Sequence, residues 1–391
     1  MISVEEATQR ISSAFFPIDS EIANIAHLYG RVLSEDILAQ SNQPPFSVSA
    51  MDGYAVRLAD GGATRRLIGS APAGHPFAGI VGAGEAVRIF TGGVVPDGAD
   101  AIVIQEDATL SGATVSFAAD AVTPQHIRAA GMDFKTGDVL AAKGKRLTAR
   151  DCALLAAGDI AQAKVRRRPR VAIVSIGDEL SRPGEAHKPG GITASSGYGL
   201  SAMIQAWGGA PCDFGILPDT EEEIVTVADV DADLIITLGG VSVGDHDLVQ
   251  KALGTDDFKI DFWKVAMRPG KPLIFGRLGK TPLLGMPGNP VSTLVCAILF
   301  VKPAVAAMLG TDCGPATRPA RLATALPGNG DRQDYMRAKR MLRDGEYWVE
   351  PFALQDSSML KVMAEAGALI VRAPNVPAAD AGECVDFIPL Y

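Results

Sequence analysis

The stretch from Arg170 to Gly288 is punctuated by short apolar runs that each end in glycine. They are "RVAIVSIG" (170–177), "ADLIITLGG" (232–240), "PLIFG" (272–276) and "TPLLGMPG" (281–288). Near-continuous apolar runs of this length mark strands covered on both faces. Helical spacing over 197–207, and a long apolar helix over 291–309 interrupted by Pro303, supply the cover. Strands alternating with helices predict a doubly wound, mostly parallel α/β sheet. Ligands of such sheets bind beyond the carboxyl ends of the strands, which makes the loops after Ile176, Leu238 and Met286 the candidate site.

With 391 residues the chain exceeds one ordinary core, and two to four domains are expected. Helical spacing recurs over 3–13 and over about 20–40, the latter on Ile22, Ile25, Leu28, Val32 and Leu33. From Pro44 to about Gly131 short β-rich pieces alternate with Gly/Pro turns, and residues 148–160 read as a helix with Thr148 as N-cap. Short strands return after Gly314. The predicted class is therefore multidomain α/β plus β. Residues 1–45 and 137–170 form an elongated helical and extended linker domain, and 46–136 an inserted β domain. Residues 171–311 form the α/β domain and 312–391 a C-terminal all-β domain.

A net charge of −9 argues against a general nucleic-acid binder, and "RRRPR" (166–170) reads as a solvated lead-in to a strand. Cys152, Cys212, Cys296, Cys313 and Cys384 include no C-x-x-C pair, which excludes a zinc ribbon and a dithiol redox motif. The acidic start "MISVEEATQR" has no apolar signal core, and no run approaches a membrane span, so a cytoplasmic protein without membrane partners is expected.

The first candidate loop, "SIGDELSRPG", carries Asp178 and Glu179. The second, "GGVSVGDHD", carries Gly239, Gly240, Ser242, Gly244 and Asp247. In the third, "GMPGNPVS", Pro287, Gly288 and Asn289 precede a helix whose early Pro290 suits the missing donor. Glycine loops and free helix N-termini both let backbone N–H groups approach an anion. Between the second and third loops, "FKIDFWKVAMRPGKP" places Lys259, Lys264, Arg268 and Lys271 against a single acid, Asp261. Lys264 and Arg268 share a face if that piece is helical. No Walker A or dinucleotide fingerprint is present. Carboxylates opposite cations around one crevice suit Mg²⁺-assisted chemistry on phosphates or oxyanions.

Seven stretches together resemble the molybdopterin molybdenumtransferase (MoeA) family, to which the gephyrin E domain belongs. They are "GRVLSEDI" (30–37), "SAMDGYA" (49–55), "RIFTGGVVPDGADAIVIQED" (88–107), "GDELSRPG" (177–184), "GGVSVGDHD" (239–247), "FWKVAMRPGKP" (262–272) and "MPGNPVS" (286–292). The resemblance implies Mg²⁺-dependent insertion of molybdate, the second substrate, into adenylylated molybdopterin with release of AMP. It implies a homodimer with shared active sites, and the molybdopterin adenylyltransferase and molybdoenzyme chaperones as partners. Carried over residue by residue, it implies catalytic roles for Asp52, Thr91, Glu179, Asp219, Asp247, Lys264 and Arg268. It makes Asp178, Glu179, Asp219 and Asp247 the Mg²⁺ ligands. Substrate-binding roles fall on the glycine-loop residues above, on Lys271, Pro287, Gly288 and Asn289, and on Asp133, Arg337 and Ser357. The chain departs from the family at Ala194, Ser195 and Ser196, where a D-S-N-like triplet is common, at Arg268 for lysine, and at Ile176 for a hydroxyl residue. Two other readings are a molybdopterin adenylyltransferase, which needs only the α/β domain, and a non-catalytic scaffold, which would favour an added partner-binding linker.

Overall fold

The strand Arg170–Ile176 shows why its sequence is apolar throughout. Ile173 and Ser175 face the helix Ser196–Trp207, where a side chain at Gly197 would touch both. Ala172, Val174 and Ile176 enter a second core with Val227, Ile235 and Leu283 on the opposite face. The computed structural model describes residues 1–240, 258–311, 314 and 316–390. The chain divides into two units, Met1–Glu21 with Arg166–Tyr391, and Ile22–Val165.

In the first unit a six-stranded sheet has the order Ala210–Leu217, Arg170–Ile176, Leu234–Leu238, Thr281–Met286, Ile274–Leu278, Phe258–Trp263. The first four strands are parallel, and Ile274–Leu278 runs antiparallel to both of its neighbours, so it is the reversed strand of the sheet. The expected strand–helix alternation fails between Ile274–Leu278 and Thr281–Met286, which form a hairpin turned at Gly279 with φ +56°. The arginine run that begins the second segment of this unit is paired rather than simply solvated: Arg167 donates twice to Asp233 (2.7 and 2.9 Å) and Arg170 twice to Asp231 (2.7 and 2.8 Å).

Pro303 does not break the last helix of the α/β domain. Pro290–Leu309 is continuous, with a π-turn at Ala297–Val301. Pro303 has no N–H for the carbonyl four residues back, and the wider turn accommodates its ring. This helix is long and apolar enough to cross a membrane, but 83% of its apolar window is buried inside the protein, as for a core helix. The helix Val4–Ser13 is capped by Ser3, whose hydroxyl accepts from the Glu6 N–H at 3.1 Å, and packs its buried Ala7 and Ile11 towards the long helix. The C-terminal strands close into a barrel: Gln333–Arg343, Glu346–Pro351, Arg318–Leu322, Cys384–Pro389, Ala368–Arg372, and back to Gln333–Arg343.

The second unit contains a six-stranded sheet ordered Ala101–Ile104, Gly53–Val56, Glu85–Ile89, Arg65–Ala71, Thr114–Phe117, Ala108–Ser111. Its helix Ala149–Ala157 has a full capping box: Thr148 Oγ1 accepts from the Asp151 N–H while Asp151 accepts from the Thr148 N–H. The helix expected over about 20–40 is absent. Ser20–Asn24 is a strand, Ile25–His27 a single 3₁₀ turn and Ile37–Leu38 a short strand. Ile22 is 61% exposed, while Leu28 and Leu33 enter a core with Leu147 and Leu155, so the apparent periodicity marks separate burial sites along an irregular segment.

Candidate functional site

Three loops at the carboxyl ends of the parallel strands converge because two glycines let them. Gly239 has φ +92°, and a β-carbon there would stand 2.5 Å from the Ile176 carbonyl oxygen. Only glycine lets the chain turn beneath that carbonyl. A β-carbon on Gly288 would lie 3.7 Å from the Gly239 Cα, so the third loop runs close beside the second. Around this junction opens a cleft of about 580 Å³.

Two helices point their N-termini into it. Ser195 and Ser196 line the cleft at the start of Ser196–Trp207, and Asn289 and Pro290 at the start of Pro290–Leu309. Neither N-cap side chain bonds its own helix, which leaves first-turn N–H groups for an anion. The Val291 N–H is already taken by the Ser357 carbonyl at 3.2 Å, through which the C-terminal domain brings Ser358 into the lining.

Glu179 and Asp219 are the carboxylates of this lining, and no Lys, Arg or His is among the described lining residues. Asp178 and Asp219 brace one another, each backbone N–H donating to the other's carboxylate at 3.4 Å. Gly239, Gly240, Pro287, Gly288 and Asn289 also line the cleft. Ser242, Gly244 and Asp247 lie outside the described residues.

The basic residues stand apart from this lining. Lys264 and Arg268 do not share a helical face, because Phe258–Trp263 and Met267–Arg268 are strands. Lys264 adopts φ +68° and sets its ammonium 3.7 Å from the Trp263 ring centroid, while Arg268 pairs with Asp334 at 2.8 Å. Lys271 precedes Pro272, which does line the cleft. Arg337 is 1% exposed. It donates to Gln355 Oε1 at 3.2 Å and to the Asp356 carbonyl at 2.8 Å, so it holds the loop that carries Ser357 and Ser358. Sequence reasoning missed Ser358 and Arg337's tie to this loop, because no local pattern marks either.

In the second unit, Asp52 Oδ1 accepts both the Thr91 N–H (2.7 Å) and the Thr91 hydroxyl (2.8 Å). These two bonds, with the charge of Arg88, hold the Asp52 carboxyl below its ordinary range. Asp133 is exposed, its backbone N–H bonded to the Gln43 carbonyl at 2.9 Å.

Family models match nearly the whole chain: the MoeA N-terminal region (domains I and II) at 2–158, a probable molybdopterin binding domain at 172–307, and the MoeA C-terminal region (domain IV) at 319–390. A Haemophilus influenzae protein named molybdopterin molybdenumtransferase is 34% identical over 399 residues, covering 100% of this chain and 98% of its own. A Mycobacterium tuberculosis molybdopterin molybdenumtransferase 2 is 34% identical over 354 residues, covering 86% of this chain and 87% of its own. The crystal structure of a molybdopterin biosynthesis MoeA protein from Pyrococcus horikosii superposes with a TM-score of 0.84 at 29% identity, covering 100% of this chain and 99% of that one. Three domain matches in order, full-length relatives and a shared fold place the chain in the MoeA family of molybdopterin molybdenumtransferases, enzymes of molybdenum cofactor biosynthesis.

Proposed function

We propose that the chain inserts molybdate into adenylylated molybdopterin, with Mg²⁺ and with release of AMP. The observation that carries this reading is the charge of the cleft. Two carboxylates and no described cation line a cavity into which two helix N-termini open. A pyrophosphate placed there meets backbone donors but also Glu179 and Asp219, so a cation must accompany it. The donor set fits Mg²⁺: the ligands on offer are carboxylate oxygens, with no thiol or imidazole in the described lining. Among the described residues no three acidic, His or Cys side chains form a ready cage. That suits an ion whose remaining ligands are water and substrate phosphate. Glu179 and Asp219 would hold it, with Asp178 and Asp247 added by the family resemblance. When bound, the ion would supply positive charge to the phosphoanhydride oxygens.

The chain's own groups bind and orient. N–H groups at Ser196 and Asn289 hold phosphate oxygens, and Gly239 and Gly288 let the backbone come close. Lys264, Arg268 and Lys271 supply positive charge for molybdate, and Arg337 fixes the Ser357–Ser358 loop beside it. The dithiol gives up two protons as two Mo–S bonds form, and molybdate gives up one oxygen, so one water leaves. Water adds to phosphorus as the anhydride P–O bond breaks and AMP departs. Catalysis is then mostly positioning and electrostatics.

The same reading makes the working form a cytoplasmic homodimer, each cleft completed by Asp52 and Thr91 of the partner subunit, with Asp133 beside them. It receives substrate from the adenylyltransferase and passes product to molybdoenzyme chaperones. Purified chain, adenylylated molybdopterin, molybdate and Mg²⁺ test it, with AMP followed over time. AMP release that is the same without molybdate or without Mg²⁺ would overturn it.

A further inference from the structure

Asp52 hangs from a strand that leaves no room for error. A β-carbon on Gly53 would stand 2.0 Å from the Val103 carbonyl oxygen, so the backbone beside Asp52 is pressed against the neighbouring strand. The residue that fixes this corner on the other side is Arg88, directly opposite Tyr54 in the antiparallel register. Its guanidinium lies between two rings, 5.0 Å from the Tyr54 centroid and 4.9 Å from that of Phe90. One arm donates to the Gly53 carbonyl at 3.0 Å, the next carbonyl after Asp52. The other donates to Gln105 Oε1 at 2.6 Å, and the Gln105 N–H in turn donates to the Asp52 carbonyl at 3.0 Å. Arg88 therefore bridges the strands Gly53–Val56 and Glu85–Ile89 to the turn after Ala101–Ile104, with Asp52 at the point enclosed. Phe90 and Thr91 follow Arg88 directly, so the same ring sandwich sets the position from which Thr91 reaches Asp52 Oδ1.

We propose that Arg88 is a positioning residue for the transfer reaction: it locks the Asp52–Thr91 pair so that Asp52 presents its second carboxylate oxygen in a fixed direction. This rests on the reading of Asp52 as a functional carboxylate. Lysine does not substitute, because the role needs a flat cation between two rings and two donors at a fixed angle.

The test uses the full chain in the AMP-release assay, with Arg88→Lys, Arg88→Met, Asp52→Asn and the double variant Asp52→Asn/Arg88→Met. Thermal unfolding is measured alongside, and Arg88→Lys, which keeps charge and stem, covers the case in which Arg88→Met does not fold. The expected result is a kcat about tenfold lower for Arg88→Lys and Arg88→Met, with KM for the adenylylated pterin within about twofold of wild type. The double variant should be no slower than Asp52→Asn within about twofold, because the two residues act as one unit. A purely structural Arg88 would leave kcat of the folded variants unchanged, or would multiply its defect onto that of Asp52→Asn. Either result overturns the proposal while the reading of Asp52 stands. Full activity in Asp52→Asn overturns both.

Discussion

Asp178 and Asp219 are 41 residues apart in sequence, yet each accepts the other's backbone N–H at 3.4 Å. The brace fixes both carboxylates at the ends of adjacent parallel strands, Arg170–Ile176 and Ala210–Leu217. Asp219 faces the cleft with Glu179, which makes the pair of loops a single electrostatic element. Asp219→Asn and Glu179→Gln are expected to raise the Mg²⁺ concentration for half-maximal AMP release by about tenfold each, the cost of one lost charge-assisted ligand. A Mg²⁺ titration of both variants checks this, and unchanged midpoints would remove the two residues from the metal site.

The proposal that two subunits share each site is tested by complementation. Asp52→Ala and Asp219→Ala are each expected to be impaired at limiting Mg²⁺, and mixing them should restore activity as subunits exchange. A heterodimer then has one cleft with both defects and one with neither, so the ceiling is about half the wild-type activity per dimer. Exchange confirmed by native mass spectrometry with no return of activity would place Asp52 outside its partner's cleft.

The two cleft glycines should respond differently to alanine. At Gly239 a methyl group would meet the Ile176 carbonyl oxygen at 2.5 Å in a left-handed backbone, so Gly239→Ala should cost at least about 2 kcal/mol of stability as well as activity. At Gly288 the nearest atom is 3.7 Å away, an ordinary contact. Gly288→Ala should therefore fold normally, within about 0.5 kcal/mol, and lose affinity for the adenylylated pterin by filling space over the backbone. Denaturant unfolding beside equilibrium binding separates the two outcomes.

Asp151 gives the second unit a pH-dependent anchor. A hydrogen bond from Lys145, then one from the Thr148 N–H, draws its carboxyl from 3.8 down to about 2. A carboxyl depressed by folding stabilises the fold above its unfolded value, near pH 4, and loses that contribution as pH falls towards 2. Allowing for the half-exposed Lys145, the contribution is about 1–2 kcal/mol at pH 7, with roughly half of it gone by pH 3. Asp151→Asn should be destabilised by about that amount at pH 7 and should converge on wild type below pH 3, as followed by denaturant unfolding of the second unit.

The sequence marked interior strands well and edge strands poorly. Leu234–Leu238 is buried at every position and reads as one apolar run. Ala210–Leu217 and Phe258–Trp263 terminate the sheet at either edge. They carry exposed Asp213, Phe214, Lys259 and Asp261, so neither shows such a run, and neither was expected. The convergence of Glu179, Gly239 and Gly288 was legible because strand ends of a parallel sheet share one edge, whereas Asp219, after a strand that was not expected, was named only by the family resemblance. The setting of Lys264 and Arg268 was not, since a four-residue spacing carries no sign that Arg268 will sit in a strand opposite Asp334. Ser358 enters the cleft through the C-terminal barrel, a tertiary event that no window of sequence records.

The excursion of the chain from Glu21 to Arg166 has a consequence for how the molecule is made. The Asp19 carbonyl accepts the Arg167 N–H at 2.9 Å, so the two segments of the discontinuous first unit are tied to each other there. On the ribosome the helix Val4–Ser13 emerges long before its packing partners, Ala297–Val301 and Lys302–Leu309. At ordinary elongation rates that interval is roughly 15–60 s. In its later part, once Val165 has emerged, Ile22–Val165 has all of its own core residues and is free to fold, while Ala7 and Ile11 remain without cover. The apolar face of Val4–Ser13 thus waits for its cover while the second unit completes its own core. Its acidic first turn, Glu5 and Glu6, and the Ser3 cap keep that surface flanked by charge and hydrogen bonds until the long helix arrives.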